Sequence, residues 1–324
     1  MRYRRLGRTD YEVSEVGYGA WGIGGNMWTG GRDEESLAAL RRAIELGLSF
    51  IDTALAYGEG HSERLVGQVV RETDHKIYVA TKVPPKNRVW PAHPETPMDE
   101  VFPYSYIMES TEQSLRNLGL EQIDLQQLHV WNPEWIGRDE WRRAFEDMKS
   151  SGKVKAVGVS INDHQPNTAL EAIETGLIDS VQVIYNIFDR SAEERLFPLT
   201  QARNVGVIAR VPFDEGSLTG RITEQSAWDP SDFRSRYFSG DRKKQVVDRV
   251  NALEADLNIG TDELPEIALR FCLTHPAVST AIPGMRSRRN VEANCAVPDR
   301  GPLPAEVMEK LDKHRWERNF YSAA

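Results

Sequence analysis

Hydrophobic and polar residues follow one another along the chain as short apolar runs separated by longer amphipathic segments. The short runs are rich in β-branched residues, as strands are, and the longer segments carry apolar residues at helical spacing. The candidate strands are residues 16–21, 48–54, 76–83, 123–131, 154–161, 180–186, 205–211 and 278–284. Candidate helices between them include 33–47, 105–119 and 264–275, which end near Gly or His as helices commonly do. The pattern therefore predicts a repeated β-α unit.

The number of these units predicts the fold class. Eight β-α units in succession indicate an α/β protein with a parallel sheet, and eight strands are the number that closes a (β/α)8 TIM barrel. A doubly wound open sheet is the alternative. Residues 2–14 have the pattern of two short strands around a glycine-containing turn, so we expect an N-terminal β-hairpin that closes the bottom of the barrel. We expect residues 1–324 to form a single domain.

Two connections, 84–103 and 212–245, are too long for ordinary β-α loops. One is rich in Pro and the other contains Trp228, Phe233, Tyr237 and Phe238, so we expect both to be flaps over a substrate or cofactor.

Composition narrows the function classes. With 40% hydrophobic and 27% charged residues, the chain can build a large core. Two cysteines make no disulfide framework, which suggests the reducing cytoplasm. The polar N-terminus is not typical of a signal peptide, and no stretch approaches the ~20 apolar residues of a membrane span. The net charge of −9 argues against nucleic acid as a partner. No pattern predicts an oligomeric state.

Polar side chains occur near the ends of neighbouring candidate strands. In a (β/α)8 barrel these carboxyl ends meet at one mouth, where catalytic residues lie. Any one of them alone could be a core or solvated residue, but buried together without partners they would be costly, so we expect a hydrogen-bonded network. The residues are Asp52, Lys82, His129, Ser160, Asn162 and Gln182.

A tyrosine five residues after Asp52 suggests the chemistry. The ordinary pKa of Tyr57, about 10, is high for a proton donor at neutral pH. A nearby Lys82 ammonium would favour the phenolate and lower that pKa, and Asp52 would keep Lys82 charged. His129 could hydrogen-bond a substrate oxygen beside the Tyr57 hydroxyl. Such a site protonates a carbonyl oxygen while another group attacks the carbonyl carbon.

The ordered motifs FIDTALAYG, ATK, LHVW, GVSIN and IPG resemble those of the aldo-keto reductase family over nearly the whole chain. The resemblance implies a barrel that binds a nicotinamide cofactor without a Rossmann motif, and it favours NADP over NAD. It also implies hydride transfer between the nicotinamide and a carbonyl or alcohol substrate, which could be an aldehyde, a ketone or a sugar. Tyr57 would be the general acid, supported by Asp52, Lys82 and His129.

The same resemblance assigns cofactor contacts to several segments: beside the nicotinamide, around its carboxamide, across the pyrophosphate and at the adenosine end. These residues are Gly19, Ala20, Trp21, Asp52, Ser160, Asn162, Gln182, Arg210, Pro212, Phe213, Gly216, Leu218, Gly220, Gly284, Arg286, Asn290 and Asn294.

Two arginines in this set suggest cofactor preferences. Arg210 stands where many relatives have an aromatic residue against the nicotinamide. We expect its charge to favour the neutral reduced ring over the cationic oxidised ring, with Asp214 or Glu215 as an acid partner. Arg286 could pair with the 2′-phosphate of NADP, whereas Asn290 stands where some relatives have Arg.

Aromatic residues near the predicted mouth suggest the walls of a substrate pocket. They are Trp21, Trp28, Tyr57, Trp90, His129 and Trp131, with Trp135 close in sequence. Such walls would suit a sugar or a flat aldehyde. Ordinary packing of large apolar side chains is the alternative explanation.

Two other functions compete with that of a reductase. One is a regulatory subunit of the same fold that senses the state of the nicotinamide. The other is a metal-dependent barrel hydrolase with Asp52 and His129 as ligands, but no second carboxylate or HxH motif ends a neighbouring strand, so we predict no metal site.

Overall fold

The structure, a computed structural model, describes residues 1–25, 27–316 and 318–321. Within these residues, ten strands form two sheets. The first sheet is an antiparallel hairpin of β1 (Tyr3–Arg5) and β2 (Glu12–Ser14). The second is parallel and contains β3 (Tyr18–Gly19), β4 (Phe50–Asp52), β5 (Tyr78–Val83), β6 (Ile123–Leu128), β7 (Val154–Ser160), β8 (Ser180–Ile184), β9 (Gly206–Arg210) and β10 (Val278–Ala281).

The parallel sheet curls into a barrel. Each strand pairs with the next one in sequence, from β3 to β10. Single parallel bridges from Val16 to Ala281 and from Gly19 to Gly284 join the first strand to the last. The prediction of a (β/α)8 barrel is confirmed, because a doubly wound sheet would reverse its strand order. β10 is shorter than predicted, and Pro283, which has no N–H, follows shortly after it.

Helices follow the barrel strands, as the β-α pattern predicts. Among the described residues they are α1 (Asp33–Glu45), α2 (His61–Arg71), α3 (Met98–Val101), α4 (Tyr104–Leu118), α5 (Asp139–Ser150), α6 (Leu170–Glu174), α7 (Leu196–Arg203), α8 (Phe233–Tyr237), α9 (Arg242–Leu257), α10 (Leu264–Thr274), α11 (Arg288–Ala296) and α12 (Ala305–Asp312). In α4, Ile107, Leu115 and Leu118 are buried at helical spacing, and Gly119 ends the helix in the left-handed region at φ 63°. No helix in the described ranges is long and apolar enough to cross a membrane.

The hairpin packs into the N-terminal end of the barrel, as predicted. Leu6 and Val13 are fully buried in a cluster with Phe50, at the start of β4, and with residues of other strands. Gly7 has φ 53°, and a Cβ there would lie 2.2 Å from the backbone nitrogen of Gly206, so the turn requires glycine. The bottom of the barrel is therefore filled, and the opposite end is left for a site.

Candidate active site

Four of the predicted catalytic residues meet at the carboxyl end of the barrel. Asp52 ends β4, Lys82 lies near the end of β5, His129 follows β6 and Tyr57 lies in the turn after β4. Lys82 is fully buried, and its Nζ donates hydrogen bonds to Asp52 Oδ2 at 2.6 Å, to the Thr53 carbonyl at 2.8 Å and to the Tyr57 hydroxyl at 3.3 Å. The rings of Tyr57 and His129 are 5.7 Å apart.

Burial and charge set the protonation states of this group. Burial alone would lower the pKa of Lys82, but the Asp52 carboxylate and the Tyr57 hydroxyl raise it above its usual value. The pKa of His129 is well below its usual value because of burial and the nearby charges of Lys82 and Arg210. Lys82 is therefore an ammonium and His129 a neutral imidazole at pH 7.

The expectation of a lowered Tyr57 pKa is wrong, although Lys82 acts in the expected direction. Burial, the largest influence, raises the pKa of Tyr57, and Asp52 raises it further. Lys82 and Arg210 lower it, but less than the other influences raise it. The phenol is therefore protonated at neutral pH, and the Lys82 ammonium beside it is placed to stabilise a phenolate if the proton leaves.

Two glutamine amides complete the surroundings of Asp52. Gln182 Nε2 donates to Asp52 Oδ1 at 2.7 Å, and Gln127 Nε2 lies 3.5 Å from the same oxygen. Gln127 was missed in the sequence, although two consecutive glutamines in the candidate strand IDLQQLHVW were a signal. The carboxylate is thus held on both oxygens and cannot turn away from Lys82.

A cleft of about 1530 Å³ opens beside the Tyr57 hydroxyl and extends to α11. Drug-sized ligand pockets span about 300–1000 Å³, so this cleft can hold two molecules. Both long loops line it, and each contains helical turns within the predicted flap. The predicted site residues that line the cleft are Gly19, Trp21, Trp28, Asp52, Tyr57, Trp90, His129, Ser160, Asn162, Gln182, Arg210, Pro212, Phe213, Gly216, Gly284, Arg286, Asn290 and Asn294.

Three residues predicted to contact the cofactor do not line this cleft. Ala20 and Leu218 are fully buried, and their backbone amides donate to the carbonyls of Asp52 and Phe213. The Gly220 amide donates to the Ser217 carbonyl. These amides are used inside the protein, and contact of Ala20, Leu218 and Gly220 with the cofactor stays a prediction.

The prediction of Trp131 as a pocket wall is also wrong. Its ring is fully buried and packs against Trp135 and Trp141, with centroids 6.1 and 5.2 Å away. Its indole Nε1 donates to the Thr168 carbonyl at 3.1 Å. Trp131 therefore belongs to the core, in agreement with the alternative explanation of ordinary packing of large apolar side chains.

Arg210 has a different partner from the one expected. Its Nη2 contacts Asp163 Oδ1 at 2.6 Å and the Ile161 carbonyl at 3.1 Å. Asp214 instead pairs with Arg318, and Glu215 accepts a hydrogen bond from Tyr321. Asp163 lies just after β7 and Tyr321 lies near the end of the chain, so no local sequence pattern linked either of them to this site.

Arg286 is attached to the loop that follows β3. Its Nη1 donates to the Thr29 carbonyl at 2.9 Å, and its guanidinium lies over the Trp28 ring at 5.9 Å. The buried Asp232 accepts hydrogen bonds from both the amide and the hydroxyl of Thr29, at 3.0 and 3.1 Å. Asp232 therefore ties the loop after β3 to the long loop after β9 at the edge of the cleft.

The cleft also offers hydrogen-bonding groups for a nicotinamide dinucleotide. In the part of the chain that the structure describes, neither the Ser160 hydroxyl nor the Gln182 side-chain oxygen has a hydrogen-bond partner, although both residues line the inner cleft. A carboxamide needs one acceptor and one donor, which these groups can supply. At the outer end, Arg289 and Asn290 are exposed on the first turn of α11. The residues present therefore fit such a cofactor.

Comparisons with known proteins agree with this geometry. A model of the "Aldo/keto reductase family" matches residues 15–315. Aldo-keto reductase YhdN of Bacillus subtilis (strain 168) is 30% identical over 305 residues, covering 90% of this chain and 87% of that protein. The holo form of aldo-keto reductase AKR11C1 from Bacillus halodurans superposes with a TM-score of 0.77 at 30% identity, covering 97% and 96% of the two chains. A probable voltage-gated potassium channel subunit beta of Oryza sativa subsp. japonica is 27% identical over 327 residues, 96% of each chain.

Proposed function

The chain belongs to the aldo-keto reductase family of oxidoreductases, and on that premise we propose that it transfers a hydride between NADP(H) and a carbonyl or alcohol substrate. One observation carries the proposal. The Tyr57 hydroxyl faces a large cleft and lies 3.3 Å from a buried ammonium, Lys82, that Asp52 holds in place. This arrangement suits a proton donor whose conjugate base is stabilised when the proton leaves.

The side chains have separate roles in this reaction. When bound, the reduced nicotinamide supplies a hydride to the carbonyl carbon. Tyr57 donates its proton to the carbonyl oxygen, and Lys82 stabilises the resulting phenolate. His129, neutral because of its low pKa, can donate a hydrogen bond to the same oxygen without adding a charge. Asp52 keeps Lys82 charged and fixes its position.

The outer cleft supports NADP rather than NAD as the cofactor. Arg286 and Arg289 line it, together with Arg221 and Arg300, which pair with the cleft carboxylates Asp262 and Glu266. A 2′-phosphate adds negative charge that guanidinium groups bind well. Ser160, Asn162 and Gln182 would hold the carboxamide, with Arg210 beside it, and the loop of Pro212, Phe213 and Gly216 would lie along the pyrophosphate.

The substrate end of the cleft supports an aldehyde, a ketone or a sugar. Trp21, Trp28 and the partly exposed Trp90 line it together with Tyr57 and His129. Aromatic faces bind flat carbonyl compounds and the apolar faces of sugar rings. The two free buried cysteines fit a reducing compartment, so we place the enzyme in the cytoplasm.

Replacing Tyr57 tests the proposal. Tyr57→Phe removes the hydroxyl and should lower kcat by at least ~100-fold, the lower range for loss of a general acid, while NADPH still binds. Steady-state kinetics with an aldehyde panel and NADPH titration by fluorescence measure the two effects. Tyr106→Phe is the matched control, because Tyr106 also lines the cleft but has no contact with Lys82. Turnover like that of the wild type in Tyr57→Phe would remove Tyr57 from this role.

A nicotinamide-sensing regulatory subunit is the second candidate function. It is favoured by the likeness to the rice channel subunit beta over 96% of each chain. Such a subunit needs to bind the cofactor but does not need rapid turnover. Sustained oxidation of excess NADPH by an aldehyde or sugar from the panel would support the reductase. Tight NADPH binding with at most one slow turnover, across the whole panel, would favour the sensor.

A further inference from the structure

A cluster of charged groups lines the cleft but takes no part in the proton transfer described above. It consists of Arg210 at the end of β9, Asp163 after β7, Glu215 in the loop after β9, and Tyr321 near the end of the chain. The four residues come from three separate stretches of the chain, and all line the same cleft.

Specific contacts hold the cluster together. Arg210 and Asp163 form an ion pair at 2.6 Å, and both are partly buried. Glu215 is 7% exposed, and its carboxylate accepts a hydrogen bond from the Tyr321 hydroxyl. Glu215 also has φ 55°, and Val211 and Asp214 have φ 56° and 50°, which is a left-handed backbone that non-glycine residues seldom adopt. Local backbone strain of this kind is typical of functional sites.

The surroundings of Glu215 raise its pKa to near neutral pH. Burial is the main cause that raises its pKa, to about 7, with Asp214 and Asp163 contributing, whereas the Tyr321 hydrogen bond and Arg210 lower it. The other charged or titratable groups around Glu215 either have an ion-pair or hydrogen-bond partner or are neutral. Asp214 pairs with Arg318, Tyr237 is a buried phenol, and His164 contacts Asp189 at 2.6 Å.

One member of this cluster, Arg210, acts on the catalytic groups. The Arg210 guanidinium contributes to lowering the pKa of both Tyr57 and His129, so its field reaches the catalytic groups. Because Arg210 and Asp163 form an ion pair, the cluster has no net charge when Glu215 is protonated and one negative net charge when Glu215 is ionised. The oxidised nicotinamide ring is a cation and the reduced ring is neutral, so only the oxidised form responds strongly to that charge.

We propose that Glu215, acting through the Arg210–Asp163 pair, determines which redox form of the nicotinamide cofactor the site prefers. Ionised Glu215 favours the oxidised cofactor, and protonated Glu215 removes that advantage. The inference rests on the proposed function, and it replaces the simpler expectation that the charge of Arg210 alone favours the reduced form. Asp163 pairs with Arg210 and offsets part of that charge.

Binding measurements test this role without turnover. The Kd of NADP+ and of NADPH is measured by isothermal titration calorimetry between pH 6 and 8.5. We expect the ratio of the NADP+ Kd to the NADPH Kd to fall by about three- to tenfold across this range, as one added charge in a partly wet site would produce. Titration of the 2′-phosphate affects both forms and cancels in the ratio.

Three variants separate Glu215 from other causes. In Glu215→Gln the ratio should stay at its acid value at every pH. Tyr321→Phe removes a hydrogen bond that stabilises the carboxylate, so the fall should move to higher pH. Asp262→Asn changes a carboxylate at the Arg221 end of the cleft and should leave the fall in the Kd ratio intact.

A Kd ratio independent of pH in the wild type, or a full fall of the ratio in Glu215→Gln, would overturn the role of Glu215. Failure of both cofactors to bind at any pH would instead overturn the proposed function.

Discussion

At the scale of single residues, the site depends on keeping one buried ammonium charged. Lys82 has no exposure to solvent, and its charge is stable only because Asp52, Thr53 and Tyr57 surround it. Asp52 in turn is held by Gln182 on its other oxygen. An ion pair buried this deeply fixes geometry more than it adds stability, because desolvation offsets much of the attraction.

Arg286 is the residue at which cofactor specificity can be tested. Arg286→Ala should weaken NADPH binding by ~1.5–3 kcal/mol, the range for a charged hydrogen bond, and leave NADH nearly unchanged. Titration of both cofactors measures the effect. The control is Arg288→Ala, because Arg288 is exposed and pairs with Glu292 outside the cleft. Equal losses for the two cofactors would show that Arg286 acts by holding the Thr29 carbonyl rather than by binding the phosphate.

At the scale of elements, Glu63 ties α2 to its neighbours. Its carboxylate is fully buried and accepts hydrogen bonds from Thr81 in β5 at 2.6 Å and from Asn117 in α4 at 2.7 Å. Burial raises the pKa of Glu63, although the hydrogen bonds from Asn117 and Thr81 lower it. The folded protein therefore holds the proton of Glu63 more tightly than the unfolded chain does, and this contribution to stability is lost as pH rises through the raised pKa.

Glu63→Gln should remove that pH dependence. The free energy of unfolding of the wild type should fall relative to that of Glu63→Gln as the pH rises from about 3.5, below the ordinary Glu pKa, to about 8.5, by about 1.4 kcal/mol for each unit by which the pKa is raised. Urea denaturation at several pH values measures the difference. Glu109→Gln, at an exposed carboxylate of α4, should show no such trend. Parallel curves for the wild type and Glu63→Gln would contradict the assignment of a raised pKa.

At the scale of the whole molecule, the sequence pattern predicted the barrel and its catalytic centre but not the contacts among loops. Strand order could be predicted because each β-α unit packs beside the next, and this also placed Asp52, Lys82 and His129 at one mouth. Two loop contacts could not be predicted from the sequence: Arg210 with Asp163, and Glu215 with Tyr321. Each joins segments that are distant in sequence and have no periodic pattern. Trp131 was misplaced because an aromatic residue near a mouth can pack inward as easily as outward.

The filled barrel bottom should affect stability without affecting binding. Leu6 is fully buried there, so Leu6→Ala should lower the free energy of unfolding by about 2–5 kcal/mol, the range for a large-to-small core substitution. The Kd of NADPH should not change, because the cleft lies at the opposite end of the barrel. Urea denaturation and cofactor titration check the two effects. Tyr3→Phe, which removes an exposed hydrogen bond to the Gly47 carbonyl, is the control and should cost under ~1 kcal/mol. A changed Kd in Leu6→Ala would show that the two ends are coupled.

The seam between the first and last barrel strands has a consequence for how the protein matures. Gly19 and Gly284 are joined by a bridge across this seam, and both line the cleft. A nascent chain therefore has no complete cleft until β10 has left the ribosome. A ligand that contacts both sides of the seam binds the closed barrel alone and stabilises it by mass action, by about 2.7 kcal/mol at a hundred times its Kd. Newly made protein would therefore gain stability in a cell that supplies such a ligand.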